Sequence, residues 1–254
     1  MIVSFAKDIS EYSEVAREYG TAYEINDFCE PSVLDSPEKM EEIIKVYKQV
    51  GVACQSTMHG AFYDVIVHSK DKAVADISKM RMRQSMEVAR KLGLRGVVFH
   101  TNYQPGIPGK AYRNNVVNKL TEFFSELLEE YSEVDIYLEN MFEEDASLIL
   151  ELSKWLKQYP NYGVCFDYGH ALVYGENINE WVESLSPYIK HVHINDNDLK
   201  EDLHLAIGNG KIDWKKFMEY REEYFPKASV LIEVWNAKKQ KESLEYLKEL
   251  GMIR

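Results

Sequence analysis

The chain has 254 residues, 45% of them hydrophobic, and a formal charge of −12, which suits one large α/β domain or two small ones with an ordinary core. The acidity, with no lysine/arginine block, speaks against a surface that coats nucleic acid, though a local basic groove stays open. Cys29, Cys54 and Cys165 give no disulfide framework, the N-terminus meets charge too early for a signal peptide, and no apolar run reaches the roughly 18 residues of a spanning helix, so a soluble cytoplasmic protein with no membrane partner is expected.

Ile2 to Phe5 reads as a first strand. Ser10 is the cap candidate for a helix through Tyr12, Val15, Ala16 and Tyr19, ended by Gly20. Tyr23 to Ile25 is a second strand. Ser36, Pro37 and Glu38 open a helix with a cap, an early proline and an acid, and Met40, Ile43, Ile44, Val46 and Tyr47 keep helical spacing as far as Gly51. Val52 to Met58 is a third strand, running into His59. A long helix spans Asp71 to Leu92. Gly96 to Phe99 is a fourth strand, ending in His100. Pro105, Gly106, Pro108 and Gly109 make the segment from Thr101 to Asn114 a long loop of the kind that carries function.

A helix from Asn115 to Tyr131 leads to a fifth strand, Ile136 to Leu138, ending in Glu139. A helix from Ala146 to Gln158 leads to the sixth strand and Asp167. Ile178 to Leu185 is helical and leads to the seventh strand and His193. Asp213 opens a helix to Tyr224. Val230 to Ile232 is the eighth strand, ending in Glu233, and a last helix runs from Lys239 to Leu250. Eight strand-then-helix units of about 32 residues each match the βαβ repeat. Continuous apolar strands alternating with helices indicate a parallel sheet covered on both faces. The fold expected is a (β/α)8 barrel, one domain over residues 1–254. The rival, an open doubly wound sheet, would want a GxGxxG turn, which is missing.

In such a barrel the carboxyl ends of the strands share one mouth. Those ends carry His59, His100, Glu139, Asp167, His193 and Glu233. His170 follows Asp167 by three residues, brought into the same space if Gly169 lets the chain turn sharply. Asp202 and His204 lie on the loop after His193. One histidine or one acid at a strand end is commonly an ordinary hydrogen-bonded or solvated residue. Several carboxylates at one mouth are costly unless a cation neutralises them. Mixed imidazoles and carboxylates point to zinc first, with manganese, cobalt or magnesium as alternatives. All nine residues are therefore candidate metal ligands. His68 and His191 are read as ordinary hydrogen-bonded residues, His191 one layer deeper in the barrel, and Cys165 as core. Phe62, Tyr63, Tyr103, Tyr168, Trp214 and Trp235 lie near these ligands in sequence; packing explains any one of them, and a wall for a sugar is another use.

The pieces His59-Gly-Ala-Phe62, Val97-Val-Phe-His100, Leu138-Glu-Asn140, Phe166-Asp-Tyr-Gly-His170, His191-Val-His-Ile-Asn-Asp196, Asp202-Leu-His204, Ile212-Asp-Trp214 and Leu231-Ile-Glu-Val234 together resemble the xylose isomerase-like TIM-barrel superfamily over nearly the whole chain. The superfamily holds sugar isomerases, epimerases and the type IV apurinic endonucleases. In the isomerase branch, the resemblance implies one divalent metal on Glu139, Asp167, His193 and Glu233. The glutamates Glu139 and Glu233 are then the acid/base pair, working through an enediolate held on the metal. His170 and His59 would contact substrate hydroxyls or a second metal. In the endonuclease branch, it implies three zinc ions on all nine residues. Epimerases often carry an arginine near Asp202 and His204, and this chain does not.

The loops expected at the mouth, Glu143-Glu-Asp145, Asn195-Asp-Asn-Asp198 and Glu201-Asp202, are acidic or neutral, with Lys110 and Arg113 as exceptions. Phosphate-backbone binding wants basic side chains. The expected partner is therefore a small sugar or sugar phosphate rather than nucleic acid. A trinuclear-zinc phosphoesterase is the alternative, and a metal-keeping structural module a distant third. Association into a homo-oligomer is left open.

Overall fold

The computed structural model describes residues 1–52 and 54–253. Eight parallel strands close in sequence order: β1 (Ile2–Ala6), β2 (Ala22–Ile25), β3 (Thr57–His59), β4 (Gly96–His100), β5 (Asp135–Glu139), β6 (Tyr162–Asp167), β7 (Ile189–Ile194) and β8 (Ser229–Ile232). The ring shuts where Val3 of β1 stands opposite Leu231 of β8. The helices are α1 (Ile9–Tyr19), α2 (Pro31–Leu34), α3 (Pro37–Val50), α4 (Lys72–Leu92), α5 (Lys110–Glu130), α6 (Ser147–Leu156), α7 (Tyr168–Val173), α8 (Ile178–Leu185), α9 (Trp214–Tyr224) and α10 (Ala237–Glu249). The expected (β/α)8 barrel is what forms. No described helix is long and apolar enough to cross a membrane.

The two-residue period of a strand sorts the side chains. Val97 and Phe99, Ile136 and Leu138, Val164 and Phe166 belong to the outer core against the helices. The residues between them, Val98, Tyr137 and Cys165, form a separate cluster inside the barrel. Continuing that inward parity by one step reaches His100, Glu139 and Asp167. The same step takes Thr57 to His59, His191 to His193 and Leu231 to Glu233. The mouth is thus the last inward layer of six strands.

Several boundaries differ from the sequence expectation. The third strand begins at Thr57, not Val52: residues 54 and 55 are in a turn, Val52 only half-packs against the core, and Ala53 lies outside the described residues. Ser10 does not cap α1. Asp8, at φ 55, stands at the N-terminus, and the Ser10 hydroxyl donates to its carboxylate. Helix α5 starts five residues before Asn115, because Gly109 at φ 109 turns the chain directly into it; the long loop shrinks accordingly. Its first turn has only Ala111 and the half-buried Tyr112 among polar residues, too few apolar positions for spacing to reveal it. Short α2 and α7 were also not anticipated. The cap at Ser36 is as expected, and Asp71 and Asp213, where helices were expected to begin, prove to be caps too; each accepts a backbone N–H of the first turn.

Candidate metal centre at the barrel mouth

His59, His100 and Glu139 end adjacent strands and meet. The two Nε2 atoms are 3.0 Å apart, and Glu139 Oε2 is 3.4 Å from His59 Nε2 and 3.1 Å from His100 Nε2. Across the barrel, His193 Nδ1 lies 3.0 Å from Glu139 Oε1 and 3.4 Å from Glu233 Oε2. Ligand atoms of Glu139, Asp167, His193 and Glu233 all fall within 4.8 Å of one another. A third group joins on the rim: Asp202 Oδ2 is 3.2 Å from His170 Nε2 and 2.9 Å from His204 Nε2. All nine sequence-expected residues are in these three groups, and Glu139 belongs to two of them.

The imidazoles are aimed from behind. A carbonyl oxygen can only accept, so each nitrogen facing one must carry the proton. His59 Nδ1 donates to Gly60 O, His170 Nδ1 to Asn140 O and His204 Nδ1 to Glu233 O, each at 2.9 Å. Each Nε2 is left facing the cluster, able to offer a lone pair once its proton leaves, the arrangement that orients ligating histidines. His204 sits at φ 44, a left-handed backbone that favours glycine, and the bond to Glu233 O helps to hold it there.

Asp167 does double service. It caps α7 by accepting the His170 N–H at 2.6 Å, while its Oδ2 is buried without a hydrogen-bond partner. Gly169 has no positive φ. It lies within α7, and a Cβ there would come within 2.9 Å of Asn195 Oδ1. The glycine thus serves a close approach rather than the sharp turn read from sequence.

Charge is crowded. Burial pushes the Asp167 carboxyl up to about 7, helped by Glu233, Glu139 and Asp202. Burial opposes charge on Glu139 and Glu233 too, but the facing imidazoles, His193 first, hold both low. His170 is buried, yet Asp167 and Asp202 raise it well above the usual imidazole value; burial likewise fails to hold down His204, which Glu233 and Asp202 lift to about 9. His100, buried beside two other histidines, is lowered.

Glu139 Oε2, Asp167 Oδ2, Asp202 Oδ1 and Glu233 Oε2 are buried with no hydrogen-bond donor. Burying a carboxylate without full pairing costs several kcal/mol per ion. Together with the facing imidazole nitrogens, these oxygens form a donor set suited to divalent cations, and the residues present fit a metal.

Sequence reasoning missed Glu24. It is wholly buried on β2, with Oε1 3.1 Å from His193 Nε2 and Oε2 3.0 Å from His191 Nε2 and 2.7 Å from Thr57 Oγ1. A signal was available: a charged residue at an inward position of a four-residue strand otherwise made of Ala22, Tyr23 and Ile25. His191, as expected, is a hydrogen-bonded interior residue, with Nδ1 2.7 Å from Ser229 Oγ. His68 is buried, 3.4 Å from the Tyr112 hydroxyl, and Cys165 is fully buried.

Above the centre opens a cavity of about 620 Å³, lined by the ligand residues other than Asp167 and His193, together with Phe5, Tyr12, Phe62, Tyr63 and Trp235. Of the aromatics picked from sequence, Tyr168 and Trp214 are core and Tyr103 stacks on Tyr112. Among the described lining residues Lys7 is the one lysine or arginine, and its Nζ is 2.7 Å from Glu30. Arg113 is tied to Glu151.

A closed (β/α)8 barrel with inward imidazoles and carboxylates at the carboxyl ends of its strands defines a class of barrel with a polar, ligand-lined mouth. The chain belongs to the xylose isomerase-like TIM barrel family, whose model matches residues 14–250. It is 30% identical to the uncharacterized protein MJ1311 of Methanocaldococcus jannaschii, over 94% of this chain and 83% of that one. It is also 30% identical to a probable endonuclease 4 of Aquifex aeolicus, over 59% of this chain and 60% of that protein. Among solved structures, a D-tagatose 3-epimerase-like protein superposes with a TM-score of 0.78 at 27% identity, covering 99% of this chain and 97% of its own.

Proposed function

We propose that the protein is a metal-dependent isomerase or epimerase of a small sugar or sugar phosphate. The observation that supports this reading is that two carboxylates, Glu139 and Glu233, both approach His193 Nδ1, at 3.0 and 3.4 Å, and both line one cavity of small-molecule size. The likeness to the D-tagatose 3-epimerase-like structure supports it. Glu139, Asp167, His193 and Glu233 would hold a divalent ion, zinc first, with manganese, cobalt or magnesium as alternatives. When bound, such an ion polarises a substrate carbonyl and acidifies the neighbouring C–H.

The side chains do the rest. One of the two glutamates takes the carbon-bound proton, and the other returns a proton from the opposite side. Both are held ionised by the imidazoles around them, so either can act as the base. His59 and His170 both line the cavity and would contact hydroxyls. Phe62 and Trp235 cover the apolar face of the sugar and keep bulk water from the exchanging proton.

The test is exchange of the substrate carbon-bound proton with solvent deuterium. Glu139→Gln and Glu233→Gln should each slow exchange by roughly 10²–10⁴-fold. Full exchange in both variants would end the proton-transfer assignment.

A second reading has its own support. The sets His59–His100–Glu139 and His170–Asp202–His204 add room for two more ions, and the Aquifex relative is a probable endonuclease. Three ions suit phosphoester hydrolysis. The acidic mouth, with Lys7 already paired, disfavours a DNA ligand. Cleavage of abasic-site DNA by the fully metallated protein, weakening steeply with salt, would establish this reading over the first.

A further inference from the structure

Four buried histidines face the cluster with a partner behind the ring, and one differs. His59, His170 and His204 each have a backbone carbonyl behind Nδ1. His193 is turned the other way: Nδ1 faces Glu139 and Glu233, and behind Nε2 stands the carboxylate of Glu24 at 3.1 Å. We infer that Glu24 is a positioning residue, which holds the proton of His193 on Nε2 and thereby fixes Nδ1 as the nitrogen offered to a metal ion. This rests on the metal-site reading above and adds to it a residue outside the ligand set.

The argument is one of donors and acceptors. Glu24 is wholly buried, and its Oε2 is used by Thr57 Oγ1 and His191 Nε2. Oε1 and His193 Nε2 lie 3.1 Å apart without the alignment of a hydrogen bond, and neither has any other partner. Thr57 and His191 could be satisfied by a neutral amide oxygen. His193 could not: a glutamine turned to serve them presents its NH₂ to Nε2. Nε2 would then have to accept, and the proton would move to Nδ1, into the carboxylates. Only an ionised carboxylate accepts from all three. A negative acceptor behind a ring also makes the opposite nitrogen a stronger ligand than a carbonyl does. His193 stands opposite Asp167 in the β-ladder and beside both candidate proton-transfer glutamates. Its orientation therefore sets the geometry of the whole group.

The experiment measures zinc affinity by competition with a chromophoric chelator, in the wild type and in Glu24→Gln, alongside melting of both metal-free proteins. The expected result is a 10–100-fold weaker zinc site in Glu24→Gln. A purely structural Glu24 would instead lower the melting temperature and leave the affinity of the folded protein at the wild-type value; that result overturns the inference alone. If the wild type binds no zinc, the inference falls together with the metal reading. Should Glu24→Gln fail to fold, long-range ¹H–¹⁵N spectra of zinc-loaded wild type read the same point. A proton on His193 Nε2 is expected, and a proton on Nδ1 overturns the inference.

Discussion

The indole of Trp235 lies over the imidazole of His204, ring centroids 4.4 Å apart and planes 24° from parallel, with the tryptophan 62% exposed and the histidine buried beneath it. So large an exposed ring at the lip of the cavity has little to do for the fold. Trp235→Ala should leave the melting temperature within a few degrees and lower kcat/KM for the sugar by roughly 5–30-fold, about 1–2 kcal/mol, mostly through KM. Trp235→Phe should recover much of it. Steady-state kinetics of the three proteins checks this, and an unchanged KM in the alanine variant removes the sugar-platform role.

Proton linkage gives a second prediction. Unfolded aspartate titrates near 3.9 and histidine near 6.5. In the folded, metal-free protein burial lifts Asp167 to about 7, and Glu233 and Asp202 lift His204 to about 9 against burial. Over those ranges the folded state keeps protons that the unfolded chain has shed. The metal-free protein should therefore lose stability as pH rises from about 4 through about 9. Below about 4 the depressed Glu139 and Glu233 act in the opposite sense, so the optimum is mildly acidic. Metal affinity must run the other way, rising with pH as protons leave the ligands, about tenfold per unit for each proton displaced. Urea melts with and without zinc at about pH 5, 7 and 9 measure both slopes.

Much of this was legible because a strand end is a simple object. His100, Glu139, Asp167 and His193 each close an apolar run whose parity is already readable, and closure of the barrel brings equal parities to one rim. Glu24 escaped because it does not end an apolar run, and its partner across the barrel, His193, lies 169 positions later. The start of β3 escaped because Val52 is apolar for packing beneath a turn, not for pairing. The start of α5 escaped because its first turn, Lys110 to Asn114, is exposed or half-buried and has only Ala111 and Tyr112 as apolar positions; the cue was Gly109.

Metal stoichiometry separates the two chemical readings. Asp202 is the carboxylate shared by His170 and His204 and is not among the four donors around His193. Asp202→Asn should remove one ion per chain, if three bind, and leave the ion at Glu139, Asp167, His193 and Glu233 in place. Isomerase activity should survive to within about tenfold, while phosphoester cleavage should fall by at least about a hundredfold. Elemental analysis of the dialysed variant gives the count. Loss of every ion would mean that the three groups bind as one unit, and this separation would fail.

The rim group depends on a clasp far less visible than its ligands. Asp196, just past β7, is completely buried and accepts four hydrogen bonds: from Asn197 N at 2.9 Å and Ile212 N at 3.2 Å on Oδ1, and from Gly208 N at 2.8 Å and Trp214 Nε1 at 2.9 Å on Oδ2. It also pairs its backbone with Leu205 in an isolated antiparallel bridge. One carboxylate thus ties both ends of the loop that carries Asp202 and His204. Gly210 lies so close that a Cβ there would overlap Asp196 Oδ1. Asp196→Asn keeps the shape but turns an NH₂ toward two donors, so at least two bonds are lost and two buried N–H groups are left unpaired. The cost should be about 2–4 kcal/mol. Because the loop is released while the barrel strands are not, any ion bound at His170, Asp202 and His204 should be lost first. The ion at the His193 set should persist in whatever fraction stays folded. Denaturant titration gives the stability change and elemental analysis the order of loss; a variant of wild-type stability that still holds the rim ion would show that the loop needs no clasp.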